Sequence, residues 1–214
     1  RGFLSVGMTP GRGSDMFPYV YPKFHDMYPD FTIEPRELSV RKQQDAIRKG
    51  ELDIGFVTIT EQQKTVDEYI DLFDEEIFLA LPEQYPIPAE YLQTDAVYPE
   101  LPLSMFRYEP FVMMYKESTI RKTVDQIFHD AGFSPTVLFE TSNNLTILSM
   151  VSAKMACALI PYHYVKQHPK GVRFYSLTTH PSWKVCVCYQ KNTYLSKAAK
   201  DFIQMVDDYW EHGK

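Results

Sequence analysis

The chain is short of the features that would place it quickly. It has three cysteines in 214 residues, which excludes the disulfide framework that staples small secreted domains. Cys186 and Cys188 alternate on a strand-like stretch, on one face and about two strand rises (~6.6 Å) apart, at the long end of disulfide geometry. With Cys157 they read as buried, reduced thiols. No apolar run approaches the ~18 residues of a membrane span. Positive charge is in deficit, with 22 Lys and Arg against 28 Asp and Glu for a formal net charge of −6. The chain therefore carries no general electrostatic footprint for nucleic acid. A phosphate loop, a dinucleotide fingerprint and a Gly-x-Ser-x-Gly elbow are all missing, and Gly7-Met8-Thr9-Pro10-Gly11 does not meet the pattern. His25, His129, His163, His168, His180 and His212 show no metal-site spacing and read as surface histidines. No catalytic group, metal or cofactor is expected.

What is present is core-forming material, at 44% hydrophobic and 14% aromatic residues. That suffices for one large domain or two lobes of roughly 100 residues. Phe3 to Met8 reads as a strand ending in a turn-rich loop, Thr9 to Asp15, with Ser14 or Asp15 as candidate N-caps. A helix toward Tyr28 follows. Pro18 suits its first turn, and Pro22 should kink or delay it. Phe31 to Glu34 is a second strand, Val40 to Lys49 an amphipathic helix, and Leu52 to Val57 a third strand. Ile70 to Phe73 and Ile77 to Pro82 read as two further strands. The acidic run Asp71, Asp74, Glu75 and Glu76 reads as a solvated turn.

A second series starts at Phe111 to Tyr115. Its helix runs from Ile120 to Ala131, capped by Ser118 or Thr119 and ended by Gly132. A strand (Thr136 to Glu140), a helix (Leu145 to Ala156), a strand (Cys157 to Ile160) and a short turn or helix (Tyr162 to Gln167) follow. Strands at Val172 to Leu177 and Trp183 to Tyr189 and a helix capped by Ser196 complete the chain. Met8, Met113, Met114, Met150 and Met155 are expected in the core or lining a cleft. The sequon Asn144-Leu145-Thr146 falls at a helix start. The alternation of strand and helix predicts an α/β fold.

The joint Gly50-Glu51-Leu52-Asp53-Ile54-Gly55-Phe56 sets Gly50 where a helix ends and a carboxylate inside an apolar run. Such a group is costly unless hydrogen-bonded, so Asp53 is expected to be a buried acceptor fixing a neighbouring turn. Taken with Phe17-Pro18, Phe24, Tyr28-Pro29, the run Ile77 to Pro82, Ala158-Leu159-Ile160-Pro161 and Leu195 to Ile203, this joint resembles the effector-binding domain of LysR-type transcriptional regulators. The likeness covers nearly the whole chain. One departure stands out: Lys154 and Ala156 occupy the places of the family's usual Gly-x-Gly, which stops a helix with positive φ.

The resemblance implies two Rossmann-like lobes with a hinge of crossing strands, of the type 2 periplasmic-binding-protein-like kind. Lobe I would comprise residues 1–82 and 179–214, and lobe II residues 83–178. A winged helix-turn-helix DNA-binding domain is expected to be absent from this chain, which would reach DNA only through it. A small, anionic effector would lie between the lobes, where open α/β sheets bind ligands. Helix N-termini near Ser14, Ser118 and Asn144 would favour its charge. By position the ligand-binding residues would be Thr9, Pro10, Thr58, Ser118, Thr119, Thr141, Ser142, Asn143, Ile160 and Pro161. Each hydroxyl alone is equally readable as a plain helix cap or turn former. Arg12 and Arg107 are placed to pair with a carboxylate, although a solvated arginine is the commoner case. A homodimer or tetramer in the cytoplasm, with no membrane contact and no enzymatic activity, is the expected state. The alternative is a solute-binding protein of a transport system.

Overall fold

A computed structural model describes residues 2–212. In chain order the elements are β1 (Gly2–Met8), α1 (Arg12–Met27), β2 (Phe31–Glu37), α2 (Val40–Arg48), β3 (Ile54–Ile59), β4 (Glu68–Pro82), α3 (Ala89–Leu92) and β5 (Glu100–Leu101). Then come β6 (Pro110–Met114), α4 (Thr119–Asp130), β7 (Thr136–Thr141), α5 (Asn144–Ser152), β8 (Ala158–Pro161), α6 (Tyr162–Val165), β9 (Val172–Leu177), β10 (Ser182–Tyr189) and α7 (Lys197–His212). The chain divides into two compact units. One takes in the described residues up to Phe73 and those from Lys184 on, and the other is the continuous stretch Asp74–Trp183.

In the first unit β1 pairs in parallel with β2 and β3, and β10 runs antiparallel to β3. One face of this sheet packs against α1 and α7 around Val6, Met16, Phe24, Phe56, Phe202 and Trp210. Val40 and Ile47 of α2 join Leu52, Val57 and Ile59 in a second cluster. Both crossovers are long enough for the right-handed parallel connection such sheets require. The helix α1 starts earlier than the hydroxyl signals suggest. Its N-cap is Gly11, at φ 87°, while the Ser14 hydroxyl accepts a hydrogen bond from the Gly11 amide at 2.9 Å. Neither proline breaks it. Pro18 and Pro22 are four residues apart on the exposed face, so the carbonyls that lose a helical partner face water.

The joint behaves partly as expected. Gly50 takes φ 73°, and the amides of Gly50 and Glu51 close the end of α2 onto Ile47 and Ala46 at 3.0 and 2.9 Å, a Schellman motif. Asp53, however, precedes β3 rather than sitting inside it, and it is exposed. Its Oδ2 accepts from the Ser5 amide (2.8 Å) and hydroxyl (3.0 Å), and its own amide donates to the Ser5 hydroxyl (2.9 Å). The carboxylate does fix the joint, from the solvent side.

In the second unit the C-terminal half of β4 pairs antiparallel with β8 and β9, and β5 joins β9 in parallel. A separate parallel pair, β6 and β7, adjoins Cys157 through Phe111. Phe106, Phe111 and Phe128 centre one core, and Phe78, Ile147, Val151 and Ile160 another.

The stretches expected as two strands at 70–73 and 77–82 are one continuous strand, β4. No turn is needed because the acidic residues find partners within the fold. Asp71 pairs with Lys64 at 2.9 Å, and Glu76 accepts from Ser176 at 2.8 Å. Glu75 is buried and accepts from the Trp183 indole (2.8 Å) and the His163 amide (3.2 Å). His163 is likewise buried, against the surface expectation. Met155 is half exposed rather than core. The helix expected to reach Ala156 ends at Ser152, because Lys154 adopts φ 63°. Its amide bonds Val151 at 2.9 Å and the Met155 amide bonds Met150 at 3.1 Å. Lys154 thus performs the left-handed helix stop for which glycine is the usual residue.

Candidate functional site

Each unit gathers its own set of the expected site residues. In the first, parallel pairing sets the end of β1 beside the start of β3 (Val6 with Ile54, Gly7 with Gly55), so that the residues after β1 run alongside the rest of β3. Thr9 follows β1, and its carbonyl accepts from the Gly13 amide at 3.0 Å as α1 begins. Thr58 lies buried near the end of β3. Thr9, Thr58, Arg12, Gly13, Val185 and Trp210 line one small hollow. Pro10 stands beside it, exposed. Arg12 is not the solvated arginine expected. It is buried in the first turn of α1, with its guanidinium 5.8 Å from the centre of the Trp210 ring, a cation–π distance. Arg107 belongs to the other unit, exposed and 5.5 Å from the Phe133 ring.

In the second unit the register of β6 and β7 sets Met114 opposite Thr141, and the Tyr115 amide continues the ladder to the Thr141 carbonyl at 3.2 Å. Two helices start just beyond these strand ends. The Ser118 hydroxyl caps α4 by accepting from the Arg121 amide at 3.3 Å and donates to the Tyr115 carbonyl at 2.8 Å. The Asn143 side chain caps α5 by accepting from the Leu145 amide at 2.8 Å, and the Thr141 hydroxyl accepts from the Asn143 amide at 3.2 Å. Thr119 and Thr141 are buried, and Ser142 is exposed. Ile160 and Pro161 end β8, both buried, with Pro161 opposite Ile77 of β4. Several of the hydroxyls thus serve as caps, and capping leaves the positive ends of α4 and α5 at the edge of the β6–β7 pair.

Sequence reasoning missed Arg121. Its buried guanidinium donates to the Met114 carbonyl (2.8 Å), Glu140 (2.9 Å) and Asp125 (2.9 Å). It therefore ties the ends of β6 and β7 to α4. The four-residue spacing from Arg121 to Asp125 was the one local signal for it. Among the described residues, no group of three or more His, Cys, Asp or Glu side chains is placed to hold a metal ion. No helix among them is long and apolar enough to cross a membrane.

Strand ends carrying helix N-termini, on an α/β framework in two units, place the chain in the periplasmic-binding-protein-like class of ligand-binding folds. The structure is similar to the C-terminal domain of a probable LysR family transcriptional regulator from Rhodococcus sp. RHA1, with a TM-score of 0.77 and 23% identity over 96% of this chain and 98% of that one. It is also similar to the BenM effector-binding domain with its effector benzoate, with a TM-score of 0.78 and 16% identity over 100% and 95% of the two chains. In sequence it is 26% identical over 217 residues to the uncharacterized HTH-type transcriptional regulator YwbI of Bacillus subtilis (strain 168), covering 100% of this chain and 69% of the relative. Residues 1–211 match the LysR substrate binding domain model, and the chain belongs to that family. Membership sets aside the transport reading, and the matched relatives are transcriptional regulators rather than enzymes. The chain spans about two thirds of the length of the curated relatives it matches.

Proposed function

We propose that the chain senses a small anionic metabolite on behalf of a full-length LysR-type regulator, with DNA contact made by a winged helix-turn-helix domain outside this stretch. The candidate contacts are Thr9, Pro10 and Thr58 in the first unit. In the second they are Ser118, Thr119, Thr141, Ser142, Asn143, Ile160 and Pro161. The observation that carries the reading is the β6–β7 edge. Met114 pairs with Thr141, and the N-termini of α4 and α5 both start within a few residues of that pair. Helix N-termini favour anions through unpaired amides and the helix dipole. The BenM domain, similar in fold, carries the carboxylate benzoate as its effector, which supports the same class of ligand here.

The protein would work in the cytoplasm as a homodimer or tetramer, with α1 and α4 as candidate pairing helices. An effector acts by binding one arrangement of the regulator better than another. A thermal-shift screen against aromatic carboxylates, aliphatic carboxylates and amino acids tests the reading, since a ligand at ~100 times its Kd adds about 2.7 kcal/mol. At least one anion is expected to raise the melting temperature, and Thr58→Val and Ser118→Ala should each blunt the rise. A flat response to every anion sinks the anionic-effector reading. A strict monomer in size-exclusion chromatography at micromolar concentration sinks the pairing.

A further inference from the structure

His180 lies in the short connection between β9 and β10. Its Nδ1 is 2.7 Å from Glu76 Oε1 on β4, and its Nε2 is 2.5 Å from Glu100 Oε1 on β5. A carboxylate only accepts, so both ring nitrogens must carry protons for both bonds to exist, and that species is the imidazolium. The ring is half-exposed, but its backbone and one of its partners are fixed. His180 holds φ 44°, its amide donates to the Leu177 carbonyl at 2.9 Å, and Glu76 is steadied by the Ser176 hydroxyl at 2.8 Å. The groups facing the ring are therefore Glu76 from β4 and Glu100 from β5, with the neutral Ser176 of β9 behind Glu76.

We propose that His180 is a proton-operated clasp: as the imidazolium it joins β4 to β5 through Glu76 and Glu100, and as the neutral ring it must release one of them. The consequence is mechanical. β5 is two residues long and, among the described residues, pairs with β9 (Glu100 with Ser176, Leu101 with Leu177), with Leu101 buried in the core, so the clasp adds a side-chain tie to it. Ile77, next to Glu76, pairs with Pro161, one of the candidate effector contacts. The proton state of His180 thus bears on the strand beside that contact, although the clasp itself stands whether or not an effector binds there.

The sign follows from the partners. Hydrogen bonds to Glu76 and then Glu100 raise the His180 pKa above its ordinary value of 6.5. The clasp's stabilisation is fully present below 6.5 and is lost as pH rises through the elevated folded value. NMR titration of the imidazole signals, assigned by loss of one set in His180→Asn, tests this on the protein alone. Asparagine is chosen because it tolerates the left-handed backbone. The wild-type ring is expected to titrate above the ordinary histidine range, and Glu76→Gln and Glu100→Gln should each lower the midpoint. The gap in melting temperature between wild type and His180→Asn should be widest at pH 6 and close as the pH is raised. A ring that titrates in the ordinary range, midpoints unmoved by both glutamine variants, or a melting gap independent of pH would each overturn the clasp.

Discussion

The amide side chain of Gln43 lies across Gly55. A Cβ built on Gly55 would stand 2.7 Å from Gln43 Oε1, and one on the paired Gly7 would stand 2.8 Å from the same atom. Gln43 is completely buried and is held by donation of its Nε2 to the Leu38 carbonyl at 2.9 Å. The glycine of the Gly50–Phe56 joint therefore leaves room for a buried amide beneath β1 and β3. Gly55→Ala is expected to destabilise the protein by about 1–3 kcal/mol through overpacking, read as a lower urea midpoint with an unchanged slope. Gln43→Ala in the same chain should recover part of that loss by clearing the space.

Lys154 offers the opposite experiment. Three helices end in the same hydrogen-bond pattern, with Gly50, Gly132 and Lys154 at the left-handed position. A side chain there costs roughly 1–2 kcal/mol that glycine avoids. Lys154→Gly should raise stability by about 1 kcal/mol, an increase of about 2–4 °C in Tm for a chain of this size. A lower melting temperature would mean that the lysine side chain makes compensating contacts.

Glu75 should be the most sensitive of the acidic run. Glu75→Ala leaves the Trp183 indole without its acceptor, and an unsatisfied buried donor costs about 1–3 kcal/mol. Chemical denaturation followed by Trp183 fluorescence in a Trp210→Phe background would measure it. Asp74→Ala, one residue away and exposed, should change stability by less than about 0.5 kcal/mol.

The cysteines should be inert. All three are free and buried. Burial pushes the thiols of Cys157 and Cys186 up to about 12 and that of Cys188 to about 11. The thiolate is the nucleophile, so iodoacetamide at pH 8 should leave the native protein unmodified by intact-mass measurement and alkylate all three positions after unfolding.

These residues show why some of the molecule was legible and some was not. The alternation of strands and helices was readable because apolar spacing is local. So were the caps at Ser118 and Ser196 and the stop at Gly50. The role of Asp53 was readable too, but its exposure was not. That depended on where the ladder with β1 begins. Glu75 looked like part of a solvated turn because its partner Trp183 lies 108 positions away. Gln43 gave no signal, since a glutamine in an amphipathic helix reads as surface until the sheet beneath it shows two glycines. The positions of Thr9 and Thr58 by the strand ends, as candidate contacts, were readable from the sequence, whereas the bracing by Arg121 of Met114, Asp125 and Glu140 required the β6–β7 register.

The division of the chain also sets an order of assembly. The unit Asp74–Trp183 is one uninterrupted stretch, so its cores can close as soon as its last strand leaves the ribosome. The other unit cannot. Its helix α1 packs Phe24 edge-on against Phe202 at 5.3 Å and stacks Tyr19 on Tyr209 at 5.4 Å, and both partners arrive some 180 residues later in synthesis. Until then the apolar face of α1 and one face of the β1–β3 sheet have no cover. Exposed faces of this kind are prone to aggregate. While residues 74–183 are being made, the nascent chain is therefore exposed to chaperones and proteases through α1 and the β1–β3 sheet, and removing α7 should harm that segment before it harms Asp74–Trp183.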